Sequence, residues 1–136
     1  MDRKEIIQWM LVFAFLANLA AYEITQNLLT QGFLEANPLY GMFGLKIEPS
    51  LVLLAVIIVV AILYKVAVRS RRTETRAIYG FIVGLVLAFT IGDLVRDLAF
   101  FYGLTGASEV YSFGLIVVLA VAIGAYASML MIRRAK

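Results

Sequence analysis

Three charged residues interrupt an apolar stretch of this sequence between Thr90 and Gly103. They are Asp93, Arg96 and Asp97, at spacings of three and four that place their side chains on one face of a helix. A charged side chain at the centre of a membrane costs about 2.5 to 3.5 kcal/mol on insertion scales, so it normally faces protein or water and has a partner. We call these three residues the charged cluster, and we expect Arg96 to reach back to Asp93.

The charged cluster is compatible with three kinds of chemistry. A buried salt bridge would fix the register and the partner of the helix that carries it. A surplus of acids over one base would instead share a proton or bind a cation or a small polar solute. Two carboxylates would also serve as general acid and base, but the chain has no His and no Cys to assist them. Without those residues the usual haem, zinc, copper and iron–sulfur ligands are missing, so we expect no cofactor and no metal, and an enzyme is disfavoured but not excluded.

The composition is that of an integral membrane protein. Hydrophobic residues make up 63% of the 136 residues and charged residues only 15%, well below the roughly 25% of a soluble domain. A crossing takes about 20 apolar residues, so this length allows four spans and no separate soluble domain. We predict an all-α, polytopic membrane protein, a single domain over residues 1–136 with transmembrane helices at about 6–31, 50–68, 77–102 and 109–132.

The basic residues predict how the chain lies in the cell membrane. A loop over 65–76 carries five of them against one acid, and further bases lie near both ends of the sequence. By the positive-inside rule this loop and both termini are cytoplasmic, an arrangement that four spans allow. The net charge of +3 therefore reports orientation in a lipid bilayer, and we expect no nucleic-acid partner.

The first predicted helix becomes polar along one face in its outer half. Asn18, Glu23, Gln26 and Asn27 recur at spacings of one to five, and such a face is not expected to turn to lipid. Glu23 lies at a similar depth to Asp93 in a helix that runs the same way. We therefore predict that these residues and the charged cluster line a polar chamber that opens outward.

The two halves of the sequence share one spacing. Glu23, Gln26 and Asn27 follow the same i, i+3, i+4 pattern as the charged cluster seventy residues later. A 2+2 parallel repeat explains this pattern, and so does coincidence in a biased composition.

Glycines mark the expected helix contacts. Gly80, Gly84 and Gly92 fall on one face of the third span, and Gly114 and Gly124 lie in the fourth. Small residues at such spacings allow two helix backbones to approach closely. We predict that these glycines pack helices within the bundle or against a neighbouring subunit.

The outer connection over 32–49 is unusually apolar for a loop. It contains a corner with Glu35, Asn37 and Pro38, where Pro disfavours a helical conformation in the residue before it. We expect this connection to lie in the outer interface or to re-enter the membrane.

A short motif runs through the first half of the chain: Asn18, Thr25, Gly32, Glu35, Asn37, Pro38 and Leu39. It resembles the pattern of a family of small, uncharacterised prokaryotic four-span membrane proteins, which is Asn-x-x-Asp with a following Thr, then Gly and Glu-x-Asn-Pro-Leu. Ala21 stands at the position of the family's Asp. The resemblance covers about a quarter of the chain and implies four spans and a structured corner, without a mechanism.

Three classes of function follow from these observations. The first is a structural or assembly subunit of a larger membrane complex or of a homo-oligomer. The second is a small oligomeric transporter or channel that passes a cation, a proton or a polar solute through the outward chamber. The third is a lipid-modifying membrane enzyme that uses Asp93 or Glu23 as general base.

Overall fold

The computed structural model describes residues 2–32, 49–103 and 113–132, and this part of the chain is all-helical. The four helices are α1 (Arg3–Thr30), α2 (Pro49–Arg69), α3 (Thr73–Phe101) and α4 (Phe113–Ile132). Each is long and apolar enough to cross a membrane. The prediction of an all-α chain with four transmembrane helices is confirmed, and the chain is a small multi-pass membrane protein.

The helices extend further into the polar flanks than the apolar runs predicted. α1 begins at Arg3, where Glu5 Oε2 accepts a hydrogen bond of 2.7 Å from the backbone N–H of Asp2 and so satisfies a free donor at the helix start. α2 continues through Lys65 to Arg69 and α3 starts at Thr73. The predicted basic loop over 65–76 is therefore mostly helix, because charged side chains at a helix end can reach water without breaking the backbone hydrogen bonds.

Two glycines end helices by adopting a left-handed backbone. Gly32 follows α1 with a φ of 90°, and Gly103 follows α3 with a φ of 71°. A side chain would be strained at these angles, so glycine is the favoured residue for leaving a helix in this way. Both stops agree in position with the ends that the sequence predicts for the first and third spans.

Hydrogen bonds between helices define an up-and-down bundle. The Tyr64 hydroxyl donates to the carbonyl of Lys4 and the Asn18 amide to that of Ser50, so α2 runs antiparallel to α1. The short link 70–72 and the hydrogen bond from Tyr79 to the carbonyl of Val60 set α3 antiparallel to α2. Gly80 lies against Ala127 and Gly84 against Gly124, so α4 is antiparallel to α3. α3 is central, because it packs most extensively on α4 and also contacts α1 and α2.

α1 and α3 run side by side along two matching buried stripes. Spacings of alternately four and three residues separate the buried positions of both helices, as in left-handed helix pairs. The stripe of α1 consists of Ile7, Leu11, Ala14, Asn18, Ala21, Thr25 and Leu28, and that of α3 includes Tyr79, Val83, Val86, Thr90 and Asp97. The stripes are apolar toward the basic end of the bundle and polar toward the other end.

Candidate functional site

The charged cluster lies in the last three turns of α3, at the end of the bundle opposite the basic residues. The Arg96 guanidinium donates from Nη2 to Asp93 Oδ1 over 2.5 Å and to Asp97 Oδ1 over 3.2 Å. Its Nε also donates to Asp97 Oδ1 over 3.4 Å. The side chains are 18% exposed for Arg96, 13% for Asp93 and 6% for Asp97. One guanidinium therefore holds two largely buried carboxylates on a single helix face.

Thr25 connects this cluster to α1. Its hydroxyl donates to Asp97 Oδ2 over 2.6 Å, on the oxygen that Arg96 does not use. Thr25 is buried, and its bond to Asp97 spans 72 positions of sequence. Both oxygens of Asp97 are thus engaged, one by α3 itself and one by the neighbouring helix.

Glu23, the predicted α1 partner of the charged cluster, lies on an exposed side of α1 and does not face α3. Its side chain is exposed, as is that of Asn27, whose Nδ2 donates to the backbone carbonyl of Glu23. Residues two apart on a helix point in nearly opposite directions, so Thr25 and Glu23 cannot both face α3. The bond between Thr25 and Asp97 also places Ala21, rather than Glu23, at the level of Asp93.

Gln26, which follows Thr25 in the sequence, is half-buried. The predicted polar chamber therefore consists, among the described residues, of the charged cluster with Thr25, and the exposed stripe of Glu23 and Asn27 lies outside it. Thr25 was missed because its hydroxyl is a weak signal among stronger polar residues. The spacing Asn18, Ala21, Thr25 continues the heptad of the buried stripe and would have found it.

We expect Thr25→Val to destabilise the bundle by about 2 kcal/mol, because it removes a buried hydrogen bond to a carboxylate. Unfolding in mixed detergent and SDS micelles, followed by circular dichroism, measures this loss. The matched variant Glu23→Gln, on the same turn but exposed, should change stability by less than about 0.5 kcal/mol. The opposite order of the two effects would place Glu23, rather than Thr25, against α3.

A second polar layer lies two turns closer to the basic end. Asn18 is 2% exposed and donates from Nδ2 to the backbone carbonyl of Ser50 over 3.1 Å, which joins α1 to the start of α2. Thr90 is fully buried, and its hydroxyl donates within α3 to the carbonyls of Val86 and Leu87. Asn18 therefore serves the contact with α2, and Oδ1 of its amide has no hydrogen-bond partner in the described part of the chain.

The glycines of α3 lie against α4. A Cβ at Gly84 would meet Gly124 Cα at 2.5 Å, and one at Gly80 would meet the carbonyl oxygen of Ala127 at 2.5 Å. The three atoms nearest to a Cβ at Gly92 belong to the side chain of Ile116, at 3.0 to 3.2 Å. Gly80 and Gly84 are therefore in backbone contact with α4 within the chain, whereas the neighbour of Gly92 is a side chain.

The remaining predicted residues contribute little to this site. Gly114 lies in the first turn of α4, whereas Glu35, Asn37 and Pro38 of the outer corner fall outside the described residues. Within residues 2–32, 49–103 and 113–132, no three acidic side chains are grouped so that they would hold a metal ion.

The charged cluster has two chemical capacities. It can join helices through charge-assisted hydrogen bonds, and its second carboxylate can hold a proton or a cation that the single guanidinium does not balance. Neither capacity identifies a protein family. Comparisons of this chain with models of protein families, with curated proteins and with solved structures find no match.

Proposed function

We propose that this chain is a structural or assembly subunit, which joins a larger membrane complex or associates with copies of itself. The observation that carries the proposal is that the charged cluster is hydrogen-bonded within the chain. Arg96 bonds both carboxylates of the charged cluster, and the Thr25 hydroxyl of α1 donates to the remaining oxygen of Asp97. Charged groups bonded in this way hold two helices in one register, and they are already engaged when a solute arrives.

The surface near the cluster supports the same proposal. Ile91, 41% exposed, separates two grooves on the described surface, one of about 310 Å³ toward α4 and one of about 430 Å³ toward α1. Their linings are apolar: Phe13, Leu16, Ala17, Ala20, Leu87, Ala88, Gly92, Leu94, Val95, Leu115, Ile116, Leu119 and Ile123. Grooves of this kind suit acyl chains or another helix and do not suit a polar solute.

Transport is the second candidate, and one observation favours it. The cluster has two carboxylates for one guanidinium, and Asp93 and Arg96 keep 13% and 18% of their side-chain surface exposed. A carboxylate with partial access to water can take up and release a proton or a cation. Four helices make a narrow path at best, so this function also requires an oligomer.

The mass of the protein, extracted from its native membrane in a mild detergent, tests the proposal. We expect light scattering to give a protein mass that is a multiple of the 15.1 kDa chain, or a larger complex with fixed subunit ratios. The ratios should persist when detergent is added in excess, because chance partners in one micelle then separate. The measurement is repeated on protein in lipid nanodiscs to show that detergent did not create the assembly.

Two results would contradict a structural subunit. One is a monodisperse 15.1 kDa monomer in both detergent and nanodiscs. The other is proton or cation flux in liposomes, measured with a pH-sensitive or cation-sensitive dye, that Asp93→Asn abolishes and Glu23→Gln leaves intact. The second result would establish transport instead.

A further inference from the structure

The basic end of the bundle has the features of a binding surface. The basic end consists of seven residues at the ends of α1, α2 and α3 or in the link 70–72: Arg3, Lys4, Lys65, Arg69, Arg71, Arg72 and Arg76. The positive-inside rule accounts for bases on one side of a membrane, but it requires only that they be near the spans. In the folded chain the bases are also held close to one another, which the rule does not require.

Two hydrogen bonds hold the helix ends of this surface together. The Tyr64 hydroxyl donates to the carbonyl of Lys4 over 3.4 Å and joins α2 to α1. Arg76 Nη2 donates to the carbonyl of Ile132 over 3.0 Å and joins α3 to the last residue of α4. These bonds join the helix ends in pairs, and the three-residue link 70–72 connects α2 to α3, so the bases lie at one end of the bundle.

The link between α2 and α3 is short and ordered. Ser70 Oγ accepts a hydrogen bond of 3.2 Å from the backbone N–H of Arg72, and the N–H of Ser70 donates back to the carbonyl of Val66. Arg71 and Arg72 are exposed on this turn. Their backbone positions are set before any ligand arrives, which lowers the ordering cost of binding.

Four basic side chains of this end are exposed and accessible to a ligand: Lys65, Arg69, Arg71 and Arg72. Lys65 and Arg69 are one helical turn apart on the same face of α2. The only acid between Lys65 and Arg76 is Glu74, so the positive charge of this region is largely uncompensated.

The surface also lies at the height of a lipid headgroup. Trp9, on α1, is 51% exposed two turns inside Arg3, and aromatic residues of this kind mark the boundary between acyl chains and headgroups. The bases stand just beyond that boundary. Anionic phospholipids place a phosphate with a negative charge at this depth, and guanidinium groups bind phosphate with two parallel hydrogen bonds.

We propose that the basic end binds the phosphate headgroup of anionic phospholipids, with Arg69, Arg71 and Arg72 as the principal contacts. Arg76 has a different role, because its guanidinium is used to join α3 and α4. The lipid would sit against the ordered link, with its acyl chains along the apolar sides of α2 and α3. This inference goes beyond the proposed function and does not depend on it.

Native mass spectrometry of the purified chain in detergent micelles tests the proposal. The probe is phosphatidylglycerol, titrated beside phosphatidylcholine with the same acyl chains. We expect several-fold tighter binding of phosphatidylglycerol, and a decrease of about fivefold for each base removed, or roughly a hundredfold for Arg69→Gln/Arg71→Gln/Arg72→Gln. Orientation in a membrane does not enter, because micelles have only one side.

The controls separate a lipid site from simple charge attraction. Glu74→Gln removes the acid in the first turn of α3 and should tighten phosphatidylglycerol binding. Inorganic phosphate should compete only weakly with phosphatidylglycerol, because it lacks acyl chains. Chloride at the same ionic strength is the comparison. If the triple variant loses helicity by circular dichroism, the milder Lys65→Gln/Arg69→Gln replaces it. Equal binding of the two lipids, or unchanged phosphatidylglycerol binding by a folded variant, would overturn the proposal.

Discussion

Gly84→Ala is expected to destabilise the bundle by about 3 kcal/mol. The added Cβ would stand 2.5 Å from Gly124 Cα and 2.6 Å from the carbonyl oxygen of Ile123, and all of these are backbone positions that cannot rotate away. α3 and α4 would have to separate along their whole contact, which is the most extensive in the molecule. Overpacking of this kind typically costs 1 to 3 kcal/mol, and backbone contacts place it at the upper end.

Gly92→Ala is the matched control for this prediction. It adds the same atom to the same helix, but the nearest atoms belong to the Ile116 side chain at 3.0 to 3.2 Å. A side chain can shift by a few tenths of an ångström, so we expect a loss below about 1 kcal/mol. Reversible unfolding by SDS in mixed micelles compares the two. A similar loss for both variants would mean that α3 and α4 are not in backbone contact at Gly84.

Arg96→Ala is expected to cost about 3 kcal/mol or more. It removes the guanidinium that lies between two carboxylates whose side chains are only 13% and 6% exposed. Two negative charges then remain close together where little water can screen them. Breaking a buried ion pair from one side costs about 3 to 5 kcal/mol for this reason. The same micellar unfolding measurement gives the free energy of the variant.

The double variant Arg96→Ala/Asp93→Ala is expected to recover at least about 1 kcal/mol of that loss. It removes one of the two stranded charges, and the remaining Asp97 keeps its hydrogen bond from Thr25. A double variant that is more stable than the single variant shows that the two residues interact in the folded protein. If the double variant is as unstable as the single one, the ion pair of Arg96 and Asp93 does not stabilise the bundle.

The four helices were predictable because each span is encoded locally. A run of about 20 apolar residues must satisfy its own backbone in a membrane, and only a helix does so within one segment. The errors were confined to the ends. Arg3, Lys4 and Thr73 continue the helices past the apolar runs, because backbone hydrogen bonding does not stop where hydrophobicity does.

Half of the candidate site was predictable for the same reason. Asp93, Arg96 and Asp97 share one helix face, and helical geometry alone brings their charged groups together. Their partner on α1 was not predictable in this way. Glu23 was the stronger polar signal, but Thr25 is the residue that contacts Asp97.

The sequence by itself determined that this chain is a membrane protein, that it has four helical spans, and that three charges lie together on one of them. Tertiary structure decided which faces meet. In a soluble helix the polar face marks the outside, but in a membrane both the lipid-facing and the buried sides are apolar, so hydrophobic periodicity does not distinguish them. Only the packing of α1 on α3 brings Thr25 to Asp97, leaves Glu23 exposed, and places Gly84 against Gly124.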